Sequence, residues 1–156
     1  MQRLTLLLAF ALACADPSEP ALVPNGIWSE SDTWTGQVIV TSDAADPRWP
    51  SDPVTIHAAA VKGDSLELTV SFGGGCRGHT FLLLADGMWM ESYPVQTGLR
   101  LAHEKNNDTC KALLSRILKF DLTPLKAAYT NSYGSATPGI IRLRIGGSSD
   151  SPLYKW

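Results

Sequence analysis

Beyond its first fifteen residues the chain has no apolar run approaching the roughly 20 residues that a membrane-spanning helix needs, so the mature protein is expected to be exported and otherwise soluble. It has no excess of one charge. Thirteen Lys and Arg stand against 15 Asp and Glu, a net charge of −2, and no basic cluster is present, which excludes the electrostatic footprint of a nucleic-acid binder. Catalytic signatures are missing as well: there is no G-x-S-x-G elbow, no H-E-x-x-H pair, no P-loop and no Rossmann fingerprint. No internal repeat is visible. Cysteine is scarce, and its total of three is odd, which constrains how the three are used.

The N-terminus carries one positive charge in Met1-Gln2-Arg3 and then an apolar run from Leu4 to Ala13 broken only by Thr5, the pattern of a signal peptide over residues 1–13. The run ends at Ala11-Leu12-Ala13-Cys14-Ala15, which resembles the lipobox of bacterial lipoproteins, with Cys14 as the residue that receives the lipid; Ala11 departs from the leucine commonest there. The competing reading is ordinary signal-peptidase cleavage, because Ala11-Leu12-Ala13 and Ala13-Cys14-Ala15 both fit a small-x-small pattern. Parity favours lipidation over cleavage after Ala13, which would leave an odd thiol in an oxidising compartment; cleavage after Ala15 also leaves an even pair. The acyl chains would anchor the protein to the membrane. Ala15, rather than Asp, after the cysteine resembles outer-membrane sorting, facing the periplasm or the surface.

Residues 14–26 read as lipidated N-terminus and linker, and 27–156 as a single domain, long enough to bury about two-thirds of its unfolded surface. Proline, serine and aspartate punctuate Ala15 to Ala21 and Ser42 to Pro53. Trp28, Trp34 and Trp49 are candidate stacking platforms for a glycan; the plainer alternative is that they fold the N-terminal segment back onto the core.

From Val54 onward short strand-like runs alternate with turn signals. Leu66 to Phe72 alternates without a fault, with Leu66, Leu68, Val70 and Phe72 on one face, and Lys62-Gly63-Asp64 before it is a tight turn. His79 to Ala85 is nearly continuously apolar, Leu99 to His103 alternates, and strands are predicted across Ser115 to Phe120 and Ile140 to Ile145, with Gly146 to Ser149 separating the latter from a last segment, Leu153 to Trp156. One short helix is predicted from Thr123 to Tyr129, with Thr123 as N-cap and Pro124 at its first position, and Asn131 to Gly139 reads as loop. About seven strands and one helix predict an all-β antiparallel β-sandwich with immunoglobulin-like Greek-key connections; the alternative is a small β-barrel.

Two segments interrupt this pattern. Gly73-Gly74-Gly75-Cys76-Arg77-Gly78-His79 and His103 to Cys110 each bring one cysteine and one histidine. Export favours a Cys76–Cys110 disulfide, worth roughly 3–4 kcal/mol in the chain-entropy model. The alternative is a zinc site, or an enzyme centre, built from Cys76, His79, His103 and Cys110 with both thiols reduced. Asp86, Glu91, Glu104 and Asp108 fall in loops, where solvation is the simpler expectation than calcium binding.

The G-G-C-x-x-H, Pro94, L-x-H, C-x-A and F-D-L-x-P-L features between Val70 and Tyr129 resemble a group of uncharacterised small bacterial lipoproteins and secreted proteins. The resemblance spans less than half the chain. It implies export and a β fold and carries no activity. The expectation is therefore a lipid-anchored envelope protein, a non-catalytic binding or structural module whose partner is an envelope protein or a glycan.

Overall fold

The computed structural model describes residues 26–28, 33–134 and 139–156. The leader, the lipobox-like Cys14 and most of the linker lie outside the described residues.

The strands are β1 (Gly26–Trp28), β2 (Thr33–Val40), β3 (Thr55–Lys62), β4 (Ser65–Gly74), β5 (Thr80–Ala85), β6 (Val95–Glu104), β7 (Ala112–Asp121), β8 (Ile140–Ile145) and β9 (Leu153–Lys155), with the helix α1 (Thr123–Tyr133) between β7 and β8. The period-2 pattern of β4 folds as its sequence dictates: Leu66, Leu68, Val70 and Phe72 are all buried, and Gly63 at φ +58° makes the turn from β3. Ile141, Leu143 and Ile145 do the same in β8.

All strands join one sheet in the order β3-β4-β7-β2-β5-β6-β8-β9, with β1 paired to β2. The expected all-β class with one short helix holds. The antiparallel Greek-key sandwich does not: β2 pairs in parallel with both β7 and β5, and β6 pairs in parallel with β8. Residues 33–37 of β2 pair with β7 and residues 38–40 with β5, so this one strand joins the two halves of the sheet. The sheet curls until its end strands approach, nearer to the barrel alternative. Asp150, in the β8–β9 turn, accepts a hydrogen bond from the Ala59 amide of β3 at 2.8 Å, and the Tyr154 hydroxyl of β9 donates to Asp64 in the β3–β4 turn at 2.6 Å. Burial and the neighbouring Asp64 carboxylate raise the Tyr154 phenol well above its ordinary value, which keeps it a donor.

The continuous apolar run of β5 has a two-sided cause. Phe81, Leu83 and Ala85 face the main core, while Leu82 and Leu84 face outward and are covered by Ala44 and Trp49 from the loop after β2. Covering each leucine contributes on the order of 2 kcal/mol. Arg100 fixes that loop by donating to the carbonyls of Ala44, Asp46 and Trp49.

Helix α1 begins at Thr123, but Thr123 is not its N-cap: that position falls to Leu122, whose side chain offers no acceptor, and the Asp121 carboxylate just before it takes the Thr123 amide and hydroxyl at 2.9 and 2.8 Å. The helix also runs to Tyr133, past the predicted end, because Tyr129 and Tyr133 both pack edge-on against Trp89.

Replacing Tyr154 by Phe keeps the ring in the core and removes only the hydroxyl bonded to Asp64. Urea denaturation of Tyr154→Phe is expected to show a stability loss of about 1–3 kcal/mol, with the slope of the transition unchanged.

Candidate functional site

The two polar segments meet at the end of the sheet between β4–β5 and β6–β7. Three devices hold them. Cys76 and Cys110 form a disulfide with Cα atoms 5.9 Å apart. Asn106 donates through Nδ2 to the Gly78 carbonyl at 2.6 Å, and Arg77 Nη1 donates to the Asn106 carbonyl at 3.2 Å. The third is Asp108. Its Oδ2 accepts the backbone amides of Gly75, Cys76 and Arg77, each at 2.9 Å, and its Oδ1 accepts the Cys110 amide, also at 2.9 Å. Successive amides converging on one oxygen form an anion nest. Hydrogen bonds from the Cys110, Cys76 and Arg77 amides, outweighing burial, hold the Asp108 carboxyl far below the usual carboxylate range.

The backbone is shaped to allow this. Asn106 and Asn107 take left-handed conformations at φ +53° and +57°, an arrangement asparagine tolerates, and turn the chain so that Asp108 points inward. Across from it, a Cβ on Gly74 would lie 2.5 Å from His79 Nε2 and 3.0 Å from Asp108 Oδ2, so only glycine admits the imidazole and the carboxylate together.

Behind Asp108 runs a buried chain of polar groups. His79 Nε2 donates to Asp108 Oδ2 at 3.3 Å; His79 Nδ1 and His103 Nε2 share a hydrogen bond at 2.8 Å; His103 Nδ1 donates to the Asp52 carbonyl at 3.2 Å. The carboxylate and the carbonyl at the two ends only accept, so the three contacts call for three N–H groups on two rings, one more than two neutral imidazoles supply. Burial lowers the His103 pKa. Aromatic faces enclose the rings: Phe81 stacks on His103 at 4.6 Å, and Phe72 lies 4.8 Å from His79.

This arrangement distributes the expected site residues differently from a four-ligand zinc centre. The two sulfurs are bonded to each other. Among the described residues, the metal-capable atoms gathered within 4.8 Å of one another come from Cys76, Asp108 and Cys110, while the nitrogens of His79 and His103 turn to each other, to Asp108 and to Asp52. Asp108, read from sequence as a solvated loop carboxylate, is buried at 5 % exposure. Asp86, Glu91 and Glu104 accept from the Met88 amide, the Tyr133 hydroxyl and the Asn106 amide. Trp34 is 3 % exposed and packs on Phe81, and Trp49 lies over Leu82 and Leu84 with Nε1 donating to the Asp43 carbonyl. Both thus serve the core; the Trp28 side chain lies outside the described residues.

Cys76→Ser and Cys110→Ser are each expected to lower stability by roughly 2–5 kcal/mol, and the double variant no further, since all three remove one crosslink; urea denaturation measures each. A pH dependence follows from Asp108. Its folded pKa is depressed, so its stabilisation is present above the unfolded value of about 3.9 and is lost as pH falls toward the lower folded value. Thermal denaturation below about pH 4 should therefore steepen in the wild type relative to Asp108→Asn.

No protein-family model matches the chain, and no curated protein matches it. Solved structures do. A NigD-like immunity protein from Bacteroides caccae superposes with a TM-score of 0.51 at 17 % identity, over 77 % of this chain and 57 % of that one. A candidate lipoprotein from Bacteroides fragilis superposes with a TM-score of 0.50 at 10 % identity, over 78 % of this chain and 69 % of that one. The chain thus spans little more than half the length of the first of these, and at such identities the likeness is one of fold.

Proposed function

We propose that the protein is an exported binding module, tethered to a bacterial envelope by a lipid on Cys14 and acting without catalysis through its loops or an exposed sheet edge. The observation that carries this reading is the Cys76–Cys110 disulfide. Disulfides persist in oxidising compartments, and this one consumes two of the three cysteines, leaving Cys14 as the remaining one. A thioether at Cys14 leaves no free thiol. The fold likeness to a candidate lipoprotein of Bacteroides fragilis is in keeping with this, as is the internal use of the histidine and aspartate groups. A general base needs a ring nitrogen within reach of a substrate, and all four ring nitrogens of His79 and His103 already face internal partners. The cluster acts as a clamp that fixes two loops for recognition of an envelope protein or glycan, with no cofactor required.

Cells expressing the chain and fed radioactive palmitate are expected to label it, with the label lost in Cys14→Ser. A mature protein that begins at Asp16 and carries no lipid overturns the tether.

A further inference from the structure

The two ends of the sheet differ in what they expose. The clamp closes one end, where β4 and β6 stop and β5 and β7 begin; at the other, β2 and β5 end side by side at Val40 and Ala85, and the chain crosses to β6 through residues 86–94. Among the described residues six large hydrophobic side chains are exposed, and four of them stand at this second end: Met88 at 69 %, Met90 at 43 %, Tyr93 at 96 % and Tyr133 at 42 %. Single apolar side chains on a surface need no explanation, whereas a group of them marks a contact.

The backbone that carries the group is fixed. Gly87, at φ +67°, turns the chain out of β5, and the Met88 amide donates to Asp86 Oδ1 at 2.9 Å. Trp89 packs edge-on against Tyr129 and Tyr133, with Nε1 donating to Ser132 Oγ at 3.0 Å, and alternation turns Met88 and Met90 outward on either side of it. Met90 pairs with Gln96 through two backbone hydrogen bonds, Gln96 Nε2 donates to Ser92 Oγ, and Ser92 Oγ donates to the Pro94 carbonyl, which leaves Tyr93 at the tip. Glu91, the one acid in residues 87–94, accepts the Tyr133 hydroxyl at 2.9 Å. A loop ordered in advance presents its apolar side chains at little further entropic cost.

The direction of β1 identifies what covers them. β1 runs antiparallel to β2, with Gly26 opposite Gly36 and Trp28 opposite Trp34, so the chain enters β1 from the Val40 end, the end that carries the patch. Cys14 lies 12 residues before Gly26, a stretch that spans at most about 40 Å when fully extended. A lipid on Cys14 holds a bilayer within reach of this end, and the clamp lies farther off by the length of β6, ten residues or about 33 Å.

We infer that this end of the domain docks on the surface of the lipid bilayer, with Met88, Met90 and Tyr93 entering the boundary between headgroups and acyl chains. Tyrosine is matched to that boundary by an apolar ring and a wet hydroxyl, and the unbranched methionine side chain adapts to disordered acyl chains. Even a single acyl chain gives only reversible attachment, and three side chains give less, so the patch orients a tethered protein instead of recruiting a free one. The Cys76–Cys110 corner then faces away from the membrane, toward a partner. The docking rests on the proposed tether for its strength but not for its site, so the palmitate experiment and the one below fail separately.

The test is NMR spectroscopy of the ¹⁵N-labelled full-length chain, wild type and Cys14→Ser, with phosphatidylcholine bicelles that include a lipid carrying a nitroxide on its acyl chain. In the wild type the amides of residues 87–93 and of Tyr133 are expected to lose most of their intensity, while those of residues 75–79 and 104–110 keep theirs. Cys14→Ser should show the same pattern once enough bicelles are added, so a chain that carries no lipid refutes the tether and leaves the docking surface in place. In the Cys14→Ser background, Met88→Ser with Met90→Ser should weaken the docking at least about tenfold, the factor that two buried methylenes account for. Both positions are exposed, and Tyr93→Ser supplies the same comparison if the double variant does not fold. A patch that serves a protein partner would leave residues 87–93 unbroadened by bicelles. That result, broadening centred on the clamp residues, or docking unchanged in the variants overturns the assignment.

Discussion

A carboxylate cannot be buried without partners for its charge, and in this protein that requirement organises one whole end of the fold. Asp108 is removed from water and accepts five donors: four backbone amides from two loops and the His79 ring. Each donor fixes a piece of chain. The Gly75, Cys76 and Arg77 amides can converge only because Gly74 leaves room for His79 and because Gly75 takes a φ of +118°. The disulfide joins the same two loops, so covalent and electrostatic restraints act in parallel at one corner.

From that corner the restraint extends into the core. His79 precedes β5 and His103 lies in β6 opposite Phe81, so the hydrogen bond between the rings ties the start of β5 to its partner strand β6. His103 in turn holds Asp52, and the Pro50–Asp52 segment pairs with the His103 backbone through two hydrogen bonds. The loop that covers the outer face of β5 and β6 is thereby pinned at both of its ends, by Arg100 at one and His103 at the other. A buried polar network rigidifies what it touches, and a group in it left without a partner would cost more than an apolar side chain in its place.

A clamp of this kind leaves its own groups little spare capacity, since the Asp108 carboxylate and all four ring nitrogens of His79 and His103 already face internal partners.

The amphipathic strands were legible because one buried face imposes a two-residue period: Leu66 to Phe72 and Ile141 to Ile145 point inward as their alternation dictates, and the Asp121–Pro124 segment starts the helix where a missing amide does no harm. The cysteine pairing was legible from compartment and parity. The parallel pairing of β2 with both β5 and β7 was not, since backbone hydrogen bonds leave no mark on side-chain identity. Nor was the burial of Asp108: an aspartate in a polar loop reads the same whether water or a ring of amides surrounds it. Local pattern specifies which face of an element is buried; which element lies opposite, and which buried charge it must satisfy, is decided by contacts between residues far apart in the chain, and only the tertiary structure brings those together.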